Sequence, residues 1–108
     1  MGDAFEDRKK KQEDKWAHDE ELRFKIGARR NKLLGLWAAA EIGLMGGAAE
    51  EYAKSVVAAD LLGADSMFRK IRGDFDAAKL GHSDHVIHRQ MADLLALAAD
   101  QIMHEHKR

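Results

Sequence analysis

From Leu22 onward the larger apolar side chains recur at Ile26, Leu33, Trp37, Ala40 and Leu44, steps of three, four or seven that keep one face of a helix. The pattern predicts a first helix that stops at Gly46-Gly47 through a left-handed cap. A second stripe, Ala49, Tyr52, Ala53, Val56 and Val57, predicts a shorter helix ending near Gly63. Asp65 or Ser66 offers a cap for a third, with Phe68, Ile71, Phe75 and Ala78 at helical spacing up to Gly81. Ser83 is the natural N-cap of a fourth, which carries Ile87, Met91, Leu94, Ala98 and Ile102 along one face. Four helices account for the apolar residues. The fold expected is all-α, a four-helix bundle with a long first helix.

Helix lengths then divide the chain. A fourth helix of about 23 residues spans about 35 Å, and the second and third span about 22 Å. A bundle of that height covers only about 23 residues of the first helix, roughly Phe24 to Met45. Met1 to Arg23 is left without an internal partner. That segment alternates Arg8, Lys9, Lys10, Lys11 and Lys15 with Glu6, Asp7, Glu13 and Asp14, and places Phe5 and Trp16 on one helical face. An isolated helix of this size is marginal in water. The expectation is an arm, residues 1–25, mobile or disordered when free and helical on a partner, joined to a four-helix domain at 26–108.

Composition supports this division and removes alternatives. The 108 residues allow one domain. No proline interrupts the helices, there is no threonine, and the three valines and five isoleucines form no β-like run. The absence of cysteine excludes disulfides, thiolate metal sites and thiol nucleophiles. A net charge of −1, from 18 basic and 19 acidic side chains, gives no global attraction to nucleic acid or anionic lipid. Residues 1–25 hold eight acidic and seven basic side chains, the wrong character for a secretory signal. Leu33 to Ala49 is too short and too glycine-rich at its end to cross a membrane.

Candidate chemistry is sparse. Lys9-Lys10-Lys11 and Arg29-Arg30-Asn31-Lys32 are basic runs whose ordinary role is a solvated face, because neighbouring acids cancel most of their field. His85, His88 and His104 lie near one another in sequence, but nothing completes a zinc signature. His18-Asp19 and Asp84-His85 pair base with acid, yet adjacent residues on a helix point apart. No phosphate loop or nucleophile elbow is present, so catalysis is not expected. Trp37 reads as core. Trp16, amid charges in a segment that cannot reach the core, reads as an interface anchor.

Several segments then carry a resemblance. Ala17-His18-Asp19-Glu20-Glu21-Leu22-Arg23-Phe24-Lys25, ARRNKLLGLWAA at 28–39, YAK at 52–54, FRKIRGDFDAA at 68–78 and SDH at 83–85 together resemble the zeta subunit family. These are the small inhibitors of the F1 motor of alphaproteobacterial ATP synthases. The resemblance implies a regulatory subunit, not an enzyme, whose N-terminal arm enters an interface of the alpha, beta and gamma subunits and blocks rotation in the hydrolysing direction. It implies F1 contacts from Phe5, Arg8, Lys11, Gln12, Lys15, Trp16, His18, Asp19 and Glu20. It also implies a monomer when free and a location peripheral to the inner membrane on the cytoplasmic side. No cofactor is expected beyond weak ATP or ADP binding, for which Arg29, Arg30 and Lys32 are the candidates.

Two departures from the family pattern bear on potency. Members usually carry an aromatic where Gln12 stands, and a non-glycine residue where Gly27 stands. Gln12 removes apolar area from the binding face, and Gly27 is either a hinge or simply a weak point in the helix. The competing functional reading is a non-inhibitory docking or assembly subunit, or an adenine-nucleotide sensor on the same complex.

Overall fold

A computed structural model describes residues 19–106, which form α1 (Glu20–Ile42), α2 (Gly46–Asp60), α3 (Ser66–Ala77) and α4 (Asp84–His106). There is no strand among the described residues, and the all-α, four-helix expectation holds. α2 packs along α1, α3 packs on α2, and α4 returns against α1 and α3.

Two helix stops fall earlier than the glycine signals suggest. α1 ends at Gly43, not at Gly46-Gly47. Gly43 takes φ 99°, its N–H bonds to the Ala39 and Ala40 carbonyls, and the Leu44 N–H closes onto Ala39 at 2.9 Å. These bonds satisfy carbonyls that the helix end would otherwise leave open. Gly46 and Gly47 instead open α2. α3 stops before Gly81 by the same closure, with Lys79 at φ 59° and the Leu80 N–H on the Phe75 carbonyl at 2.9 Å. A lysine accepts that conformation because Leu80 is thereby delivered to the core. Asp65 stands at the N-cap position of α3, but its side chain makes no cap bond. Ser83 does cap α4, accepting from the Val86 N–H at 3.3 Å.

The main core draws on all four helices: Leu34 and Ala38, Val56 and Ala59, Met67, Ile71 and Phe75, and Ile87. Trp37 packs against it as expected, its ring 5.5 Å from Phe75, and the His82 ring stands 4.8 Å from Phe75. His82 Nε2 lies 3.0 Å from Glu41 Oε1, tying the α3–α4 connection to the end of α1. Between α2 and α3 the Tyr52 hydroxyl donates to Asp74 at 2.7 Å. Burial, then that hydrogen bond, push the Tyr52 phenol above its ordinary value.

α1 and α2 meet at Gly35, where an added Cβ would lie 2.7 Å from the Ala53 Cα. Only glycine permits that approach. Asn31, the one buried polar side chain among the described residues, donates to Asp60 at 3.0 Å and accepts from Arg30 at 2.8 Å.

A second, smaller cluster joins α1 to α4: Leu22, Ile26, Ala98 and Ile102. It corrects the packing span expected from helix lengths. Leu22, assigned to the segment without a partner, is buried, whereas Phe24 and Met45, the expected ends of the packed span, are exposed. α1 and α4 continue together beyond the end of α2. The side of α1 that meets α4 is therefore covered there, and the side that would meet α2 is open.

Candidate functional site

The described part of the expected binding arm is its root, the first turns of α1. Asp19 is the N-cap: its Oδ1 accepts the Leu22 N–H at 2.9 Å, one of the donors a helix start leaves unpaired. Glu20 and Glu21 follow in the first turn, where carboxylates are favoured by the positive end of the helix dipole. Both are exposed, and Glu21 pairs with Lys25 at 3.2 Å, a solvated pair of small worth. Asp19 and Glu20 therefore define where α1 begins, besides any contact they make to a partner. Phe5, Arg8, Lys11, Gln12, Lys15, Trp16 and His18 lie outside the described residues.

Two turns further on, Arg29 clamps the root onto the last turn of α4. Its Nη1 donates to Glu105 Oε2 at 2.9 Å and to Gln101 Oε1 at 2.8 Å, and its Nη2 donates to Glu105 Oε1 at 3.0 Å. The forked geometry suits a guanidinium and would not survive replacement by lysine. The Glu105 carboxylate holds the Arg29 pKa above its ordinary value. Sequence reasoning missed this clamp, though its signal is present: Leu22, Ile26, Arg29 and Leu33 follow one another at steps of four, three and four on one face.

The basic residues considered for nucleotide do not converge. Arg29 faces α4 and Glu105, while Arg30 donates its Nε to Asn31. Lys32 lies on another face, lining a recess of about 360 Å³ between α1 and α2 with Ala28, Glu50, Ala53, Lys54 and Val57. Its walls are largely apolar, with Lys32 and Lys54 at the rim. The histidines are likewise apart: the His88 ring stacks on Phe68 at 4.2 Å, while His104 is exposed in the last turn. Among the described residues, no group of three histidine or acidic side chains is placed to hold a metal ion. No helix among them is long and apolar enough to cross a membrane.

The geometry is thus that of a helical platform whose first helix opens toward the arm, with ordinary structural tasks for most of its polar groups. Against known proteins, no curated protein matches the chain. A family model described as ATPase inhibitor subunit zeta matches residues 1–101, which takes in the whole arm, α1, α2, α3 and α4 as far as Gln101. With nearly the whole chain inside one family model, the protein belongs to the ATPase inhibitor subunit zeta family.

Proposed function

We propose that this chain restrains ATP hydrolysis by the F1 motor of ATP synthase by inserting residues 1–25 at an interface of the alpha, beta and gamma subunits, where they block rotation in the hydrolysing direction. The observation that carries this reading is the family match, which includes the arm as well as the helical platform. The sequence supplies what an inserting arm needs. Phe5 and Trp16 are anchors for apolar clefts, and Arg8, Lys11 and Lys15 with the neighbouring acids set register by paired charges. Gln12 contributes polar contact on the same face, and His18 stands next to the Asp19 cap. Ordering some twenty residues costs roughly 1–2 kcal/mol each in backbone entropy, so a large interface has to offset it. The root of α1, already helical from Glu20, supplies a nucleus from which helix propagates at lower cost than it starts.

In this reading the protein performs no covalent chemistry and needs no cofactor. It rides on ATP synthase at the cytoplasmic side of the inner membrane, is a monomer when free, and binds no nucleic acid. Adenine nucleotide would have to draw Arg29 away from Glu105 to recruit it beside Lys32, which argues for weak binding at most.

The test adds the full chain, a Phe5→Ser/Trp16→Ser variant and a chain starting at Asp19 to the cognate F1, and measures hydrolysis. The cut is placed before Asp19 because removal of residues up to 25 would strip Leu22 from its buried contacts. Inhibition by the full chain, lost in both altered forms, is expected. Unchanged turnover with the full chain bound would establish the docking-subunit reading instead.

A further inference from the structure

The recess of about 360 Å³ between α1 and α2 has a shape and a charge that arm insertion does not use. Side-chain size makes it. The helices touch at Gly35 and Ala53, and the same face of α1 continues to Lys32 and Ala28, where an alanine methyl leaves a gap beside α2. On α2 the lining residues Glu50, Ala53, Lys54 and Val57 follow at steps of three, one and three, so they share one face over about 10 Å of helix. The hollow is therefore a groove along the seam of the two helices, and its volume falls within the roughly 300–1,000 Å³ of small-molecule sites. No aromatic ring and no hydroxyl or amide side chain is among its lining residues. Its charged groups are Lys32, Lys54 and Glu50, all exposed. Lys32 makes no ion pair among the described residues, and Lys54 has a solvated pair with Glu51 at 3.5 Å. Two ammonium groups against the Glu50 carboxylate leave the rim with a single net positive charge.

We propose that this groove binds the monoanion of a medium-chain fatty acid, its carboxylate between the Lys32 and Lys54 ammonium groups and its alkyl chain laid along Ala28, Ala53 and Val57. Both halves of the ligand follow from the lining. Alanine and valine methyl groups, with the methylene stems of two lysines, bury an alkyl chain well but offer nothing to stack on a flat ring or to read its hydrogen-bonding edge. One net positive charge balances one carboxylate. A nucleotide polyphosphate would bring several negative charges up to Glu50, and its base would lose water from polar atoms that find no partner in the groove. A cationic amphiphile would meet two ammonium groups. Every lining residue lies on the platform, so the site does not depend on insertion of the arm.

The full chain, with isotope-labelled methyl groups, is titrated with sodium decanoate below its micellar concentration and followed by NMR. The expected result is saturable shifts of the Ala28, Ala53 and Val57 methyl groups, with a dissociation constant of about a millimolar or below, the range open to a ligand of about a dozen heavy atoms. Lys32→Glu/Lys54→Glu should raise that constant about tenfold or more, and Lys32→Arg/Lys54→Arg should hold it. Ala28→Leu fills the groove from an exposed position with little change in helix propensity, and should abolish the shifts with no fall in melting temperature. Decanol and decyltrimethylammonium should bind more weakly than decanoate. Equal binding of decanol, or shifts that ignore the charge reversal, would mean general apolar adsorption and overturn the proposal. Absence of shifts overturns it as well. ADP moving the same methyl groups at lower concentration would give the groove to a nucleotide, and adherence to phosphatidylglycerol vesicles without binding of decanoate would give it to a membrane surface. Either outcome overturns the fatty-acid assignment.

Discussion

The two apolar clusters of this protein are built on different terms. The main one takes side chains from all four helices and buries Leu34, Val56, Ile71, Phe75 and Ile87 completely. The other, at the root of the arm, has only α1 and α4 to draw on, and sets Leu22 and Ile26 against Ala98 and Ile102. Two helices cover each other on one face only. The root therefore adds the Arg29 clamp to Glu105 and Gln101, at the surface, where charge pairs contribute little each. Stability is not uniform across a domain, and segments that must rearrange on binding come from its weaker parts. In this chain the weaker part adjoins the arm.

The comparison breaks most visibly at Phe75. Truncating this fully buried ring, which touches Trp37 and His82, should cost about 3–5 kcal/mol, a large share of the roughly 5–15 kcal/mol that holds a domain of this kind. Urea titration of Phe75→Ala would show loss of the whole structure, root included. A result confined to one end of the molecule would mean that the main core does not govern the fold.

Gly35→Ala comes next. The added methyl would stand 2.7 Å from a backbone carbon of α2, so the helices have to separate rather than a side chain turn aside. A destabilisation of about 1–3 kcal/mol is expected, by the same titration. A neutral result would show the α1–α2 contact to be more yielding than its geometry implies.

Ile102→Ala tests the root. Although a fully buried isoleucine costs about 2–5 kcal/mol to truncate, the root can open without unfolding the core, so the global loss should be at most about 2 kcal/mol. Hydrogen exchange should instead accelerate from Leu22 to Arg29 and through the last turns of α4, while Ile71 and Phe75 amides stay protected. Uniform acceleration would mean that the two clusters form one cooperative unit.

How far these regions were legible in the sequence follows from what decides each. The faces of α3 and α4 were legible because burial imposes a period, and Ile71, Phe75 and Ile87 sit where that period puts them, whereas on α1 the expected stripe is only partly right: Ala40 is exposed, and Leu34 and Ala38 enter the core instead. The family was legible from segments such as FRKIRGDFDAA. Helix ends were read less well: Gly46-Gly47 and Gly81 are strong local signals, but Gly43 and Lys79 win because Leu44 and Leu80 close onto the preceding turn. The packed span of α1 was misjudged for a similar reason. Length arithmetic treats a bundle as having one height, whereas α1 and α4 outrun α2, which buries Leu22 and exposes Phe24. Gly35 gave no sign of its role, since a close helix approach depends on the facing residue, Ala53, and that partner is not visible in a linear pattern. The arm contacts from Phe5 to His18 lie outside the described residues, and only binding measurements bear on them.

The smallest effect is expected at Gly27, within the root. A Cβ there meets nothing within 4 Å, and the residue lies inside α1 between Ile26 and Arg29. Gly27→Ala should therefore stabilise the root by up to about 1 kcal/mol, through the lower entropy of the unfolded chain. The gain should appear as slower exchange from Leu22 to Arg29 with little change in the urea midpoint. Its functional consequence separates the two roles open to a glycine at this point. If Gly27 merely weakens the helix, the alanine variant presents a better-formed nucleus to the arm and inhibits hydrolysis at lower concentration. If Gly27 is a hinge, the root has to bend as the arm inserts, and the same substitution weakens inhibition while strengthening protection. The open space around the missing Cβ favours the first outcome, because nothing in the surroundings requires glycine. Opposite movement of protection and inhibition would reverse that assignment.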